Sequence, residues 1–78
     1  MDYIVRMEKE HNDLVRKIDK LSNFIQDKHK NLDSIELLLM IQQRTYMESY
    51  KYMLNERIAY SKEKQNRLNE EERKIADV

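Results

Sequence analysis

Residues 4–25 read IVRMEKEHNDLVRKIDKLSNFI, and their spacing decides the fold. Ile4, Met7, His11, Leu14, Ile18, Leu21 and Ile25 follow one another by alternate steps of three and four. That is the a/d line of a helix buried along one side, with His11 its one polar member. Asp2 precedes the line and can accept from a free N–H of the first turn. The pattern fades at Asp27-Lys28-His29-Lys30-Asn31, a polar break. Asp33 and Glu36 then form a capping-box pair, so a second helix is expected to start near residue 33.

The second helix carries Met40, Gln43, Met47, Tyr50, Leu54 and Arg57, again in steps of three and four. Ile35, Leu39, Tyr46, Met53 and Ile58 widen this stripe. Plotted as a helix, the apolar arc covers roughly 200°, where one packed neighbour needs little more than 100°. The excess predicts a second contact, most simply with another chain. Helices over about residues 2–27 and 33–60 would each be ~40 Å long. Equal lengths and a short loop predict an antiparallel hairpin. Folding at the break sets Met7 against Leu54, Leu14 against Met47 and Leu21 against Met40. Mixed layers alternate with these: Ile4 with Arg57, His11 with Tyr50, Ile18 with Gln43.

Residues 61–78 are a charged C-terminal extension in which Leu68 and Ile75 continue the heptad line from Leu54 through Ser61. It reads either as a solvated end of helix two or as a thin seam that closes an oligomer. The expected fold class is therefore all-α: a hairpin over residues 1–60 with a charged helical extension, assembling into a homo-oligomer.

Composition narrows the function. The chain has 78 residues and no Cys, Gly or Pro. A single core of this size rarely supplies more than roughly 3–5 kcal/mol without staples, which again favours assembly. A thiolate metal site is excluded, and so are the glycine-rich phosphate loops. Fifteen basic residues balance fifteen acidic ones, and no segment is polybasic, so DNA or RNA is not an expected partner. No apolar run is long enough for a membrane helix, no leader is recognisable at the N-terminus, and a cytosolic protein is the default. No catalytic frame, metal site or cofactor is expected.

One row could hold a ligand. Tyr3, Glu10, Lys17 and Phe24 are spaced by seven along one flank of helix one. Rings could stack on a base, Lys17 could meet a phosphate, and Glu10 could accept from a guanine edge. The same spacing also suits an ordinary coiled-coil flank whose stems and rings cover the core. Gln43, Arg44, Tyr50 and Arg57 face this region from helix two. Arg57 needs an anionic partner: Glu8, Glu10 or an external phosphate. His11 is either a satisfied seam histidine or a ligand contact.

Read together, Arg6–Met7, Glu10, Leu14, Lys17–Ile18, Leu21, Phe24–Ile25, Leu38–Leu39, Gln43, Met47, Tyr50, Leu54 and Arg57–Ile58 carry a resemblance over residues 3–58. They are similar to the small phage proteins named after a crAss-like phage. That family resembles the helical hairpin domain of anti-CBASS and anti-Thoeris sponges. The resemblance implies a protein of the host cytoplasm that assembles, with a hexamer the expected order. It implies binding of a cyclic di- or trinucleotide immune signal between protomers, without cleavage. Those sponges stack their ligand on an N-terminal tyrosine, for which Tyr3 is the nearby substitute. The residues expected at such a site are Tyr3, Glu10, His11, Lys17, Gln43, Arg44, Tyr50 and Arg57. Two other classes stay open: a hairpin that docks on a host or phage protein, and a purely structural coiled coil.

Overall fold

A computed structural model describes the backbone of residues 2–76 and the side chains of residues 2–71. The described chain is all-helical: α1 spans Tyr3–Lys28 and α2 spans Ser34–Ala76. A single turn of 3-10 helix, His29–Asn31, and Leu32 in extended conformation join them. The caps form where the sequence placed them. Asp2 Oδ1 accepts from the Ile4 N–H at 3.0 Å, and Asp33 Oδ1 accepts from the Glu36 N–H at 2.7 Å. Each satisfies a donor that the first turn leaves free. The His29 N–H bonds the Ile25 carbonyl and closes α1. No described residue takes a positive φ, so the link needs no glycine.

α2 runs back along α1, and the expected hairpin is present. Tyr50 donates to Glu10, one residue from the expected register, and Lys62 pairs with Glu8 at 3.1 Å. The core is small. Ile4, Met7, Ile18 and Ile25 of α1 are buried, and Leu54 of α2 is fully covered.

The α2 side of this core differs from the expected stripe. The line that α1 covers is Leu37, Met40, Arg44, Met47, Lys51, Leu54, Ile58 and Ser61, buried or half-buried throughout. Gln43, Tyr50 and Arg57, expected in mixed core layers, are exposed. The helix is turned by one residue at every second layer. The observed line holds five large apolar side chains, because Leu37 and Ile58 join Met40, Met47 and Leu54. Arg44 and Lys51 are half-buried on this line, as long aliphatic stems allow, and the Lys51 head pairs with Glu48 at 2.9 Å. The expected line would have buried an amide, a phenol and a guanidinium between two helices, at a desolvation cost.

α2 continues as one helix through the charged extension. It has 43 residues against 26 in α1, so its last turns run past the start of α1. Leu68, half exposed, still lies beside the start of α1. The Ile75 side chain and residues 77–78, also part of the expected extension, lie outside the described residues.

Candidate functional site

The turn of α2 places Tyr50 at the edge of the seam, over the α1 flank that carries Glu10 and Lys17. A cleft of about 280 Å³ lies there, lined by Arg6, Lys9, Glu10, Asp13, Leu14, Lys17 and Tyr50. Helical spacing builds it. Arg6, Glu10, Asp13 and Lys17 follow one another by three and four residues, so they share one edge of α1. Three cations and two carboxylates face one aromatic ring.

The Tyr50 phenol donates to Glu10 Oε1. This bond holds the neutral phenol and raises its pKa above the ordinary value. Partial loss of water and the Glu10 charge push the same way, while Arg57 opposes them. Arg57 therefore lies within electrostatic reach of Tyr50. Neither of its expected carboxylate partners is taken up with it: Glu8 pairs with Lys62, and Glu10 accepts from Tyr50. Arg57 enters no ion pair among the described residues. Across the cleft, Asp13 is engaged by Arg16 of the next turn, and Arg6, Lys9 and Lys17 enter no ion pair among the described residues.

A shallow apolar hollow of about 400 Å³ adjoins the cleft through Tyr50 and is lined by Leu39, Gln42, Gln43, Tyr46 and Met47. A third groove, about 350 Å³, lies at the start of α1 between Asp2, Tyr3, Ser61, Lys64, Gln65 and Leu68. Glu10, Lys17 and Tyr50 thus come together, with Gln43 next to them and Arg57 near. Tyr3 stands apart in the third groove, and Phe24 lies outside the cleft, so the row of four does not form one surface. Arg44 is half-buried in the seam. His11 is also in the seam. Its Nδ1 lies 3.4 Å from Asn12 Oδ1, and its Nε2 is buried with no hydrogen-bond partner among the described residues. Arg6 and Lys9 were not singled out from the sequence as ligand contacts. Their signal was available in the three-and-four spacing with Glu10 and Asp13. Among the described residues no group of three or more His, Asp or Glu gathers as a metal would need.

The model of the Sequestin family matches residues 1–60. The chain belongs to the Sequestin family. The Sequestin match ends at Tyr60, one residue before Ser61, the last covered position of the α2 seam. It therefore takes in the cleft and nearly all of the paired hairpin, with Ser61 and Lys62, the partner of Glu8, just outside. The helical overhang lies outside it. Comparison with curated proteins and with solved structures found no match for the chain. Among the described residues no helix is long and apolar enough to cross a membrane.

Proposed function

We propose that the chain is a phage anti-defence protein that binds a cyclic-nucleotide immune signal in the host cytoplasm and withholds it without cleaving it. The family name denotes sequestration, a binding role. The observation that carries the finer reading is the cleft, where an aromatic face, an acceptor and three cations meet over one helix edge. Each has a counterpart on the ligand. Tyr50 offers its ring to a base. Glu10 gives one carboxylate oxygen to Tyr50 and keeps the other for the donors of a guanine edge. Lys17, Arg6 and Lys9 meet phosphate, and Arg57 supplies a further cation from α2. The Glu10 bond fixes the ring before the ligand arrives, which lowers the ordering cost of binding.

The volume also argues for a site shared between copies. A single hairpin offers about 280 Å³, at the bottom of the roughly 300–1,000 Å³ of small-molecule sites. One hairpin therefore grips part of a cyclic dinucleotide and leaves the rest to a second copy.

The test is thermal unfolding in the presence of a panel of cyclic di- and trinucleotides. A bound member at a hundred times its Kd stabilises the fold by about 2.7 kcal/mol. No stabilisation by any member refutes the reading. A second reading, a hairpin that docks on another protein, draws on the apolar hollow beside Tyr50. It gains if the panel fails and a protein partner copurifies.

A further inference from the structure

α2 carries two seams, and α1 covers one of them. The second is Leu39, Gln43, Tyr46, Tyr50, Met53, Arg57 and Tyr60, in unbroken steps of four and three. It lies about 110° around the helix from the covered line at 100° per residue. Its rings and chains face water: Tyr46 is 73% exposed, Tyr60 59%, Leu39 58%, Met53 53% and Tyr50 46%. Scattered apolar residues on a surface need no explanation, but a continuous helical line of them does.

We infer that this stripe is a self-docking face, on which the same stripe of a second copy lies antiparallel about a two-fold axis. Three observations select that occupant. First, the stripe is self-complementary. A two-fold axis between residues 51 and 52 sets Tyr50 of each copy against Met53 of the other. It also sets Tyr46 against Arg57 and Gln43 against Tyr60. These are thioether–aromatic, cation–aromatic and amide–phenol contacts, each made twice. Second, a parallel pair is disfavoured by charge. In register it would put Arg57 on Arg57 at a core position with no anion beside it. The antiparallel arrangement gives each guanidinium a ring. Third, the stripe is long enough to seat a helix. Leu39 to Tyr60 spans about 30 Å at 1.5 Å per residue, and all seven side chains are exposed. The self-association stands whether or not a nucleotide binds. Because Tyr50 lines both stripe and cleft, the second copy arrives beside the cleft.

Light scattering across a dilution series is the first measurement. The parent chain is expected to weigh twice its 9.6 kDa or a larger even multiple. Met53→Glu is expected to bring it to one copy with its helical circular dichroism kept. Tyr52→Glu alters an equally exposed ring outside the stripe and is expected to leave the mass unchanged. A helical parent monomer at high micromolar concentration overturns the inference, as does an assembly that survives Met53→Glu. Equal dissociation by Tyr52→Glu overturns the assignment to this stripe. A second measurement holds even if Met53→Glu fails to fold. The chain has no native thiol, so introduced cysteines report alone. Mixed Gln43→Cys and Tyr60→Cys chains are expected to form the disulfide between the two variants. Disulfides only within each variant would mean a parallel pair, and none at all would mean that the stripes do not meet.

Discussion

The two faces of α2 invert the simplest reading of amphipathic helices. The face that packs on α1 contains Arg44 and Lys51 and ends in Ser61. The face turned to water contains Leu39, Tyr46, Tyr50, Met53 and Tyr60. The aromatic face is the one left open. The partner helix explains this. α1 presents a narrow seam of aliphatic side chains, and thin side chains or long aliphatic stems fit such a seam. Tyrosine rings suit an edge or an interface, where the ring is covered and the hydroxyl still reaches a partner. Tyr50 shows this: it leans over the seam's edge and ends on Glu10. A helix can thus spend its aliphatic residues on its own fold and leave its aromatic ones at the surface.

Substitutions on the two faces separate these roles. The largest effect is expected at Leu54, which is fully buried. Leu54→Ala removes buried methyl groups and opens a cavity, a loss of about 2–5 kcal/mol. In so small a core that is enough to unfold most of the chain at room temperature, read by urea titration of the helical signal. Leu39→Ala, the same change on the outward face, is expected to leave a dilute sample within about 0.5 kcal/mol of the parent. A large loss at Leu39 in dilute solution would erase the distinction between the faces.

Lysine and arginine on the two faces sharpen it further. Lys51→Met keeps the stem that packs in the seam and is expected to shift stability by less than about 1 kcal/mol. Arg57→Met is expected to leave the fold intact and abolish stabilisation by a nucleotide. Undiminished nucleotide binding by a folded Arg57→Met chain would remove that residue from the site. In the cleft, Lys17→Ala is expected to weaken binding and flatten its salt dependence, since an exposed cation acts through a screened field. Tyr3→Ala serves as the comparison from the separate groove, and isothermal calorimetry should show its affinity unchanged.

The smallest effect concerns protonation. The hydrogen bond to Glu10 raises the Tyr50 pKa. Its contribution is therefore fully present at neutral pH, below the ordinary phenol value, and is lost as pH rises from there through the folded-state value. In an ultraviolet titration of the folded protein, Tyr50→Phe is expected to remove a phenol that ionises above its ordinary range. Glu10→Gln is expected to bring that titration earlier. Loss of a phenol that ionises at its ordinary value instead would mean that the Glu10 contact does not persist in solution.

The hairpin was legible in the sequence because α1 has only one possible seam. Ile4 through Ile25 fall on a single line, and no competing line of apolar residues exists on that helix. Asp2 and Asp33 fixed the starts for an equally local reason, a side-chain oxygen two or three residues from a free N–H. α2 was only half legible. Met40, Met47 and Leu54 belong to the covered line, but an apolar arc of roughly 200° admits two choices for the layers between them. Spacing alone does not choose between Gln43, Tyr50, Arg57 and Arg44, Lys51, Ile58. The choice turns on desolvation across the interhelical gap, which depends on the partner helix. The candidate site inherited that ambiguity. Glu10 and Lys17 were readable on the α1 flank and Tyr50 on the facing helix, while Arg6 and Lys9 were hidden among charges typical of any solvated helix edge. Tyr3 fell out of the group for a geometric reason. At 1.5 Å per residue, its distance along α1 from Lys17 is about 20 Å, too far to share one small cleft.

The molecule is a rod 69 Å long and 17 by 16 Å across, about four times longer than it is wide. Friction in water grows with such elongation, so a single copy diffuses like a heavier, rounder protein. Elution from a sizing column would then imitate the paired state even in its absence. Side-by-side pairing thickens the rod far more than it lengthens it, and the frictional ratio falls as the mass doubles. Sedimentation velocity reads both quantities at once. A slow, elongated 9.6 kDa particle and a faster, stouter one of twice that mass separate cleanly in the same centrifuge cell.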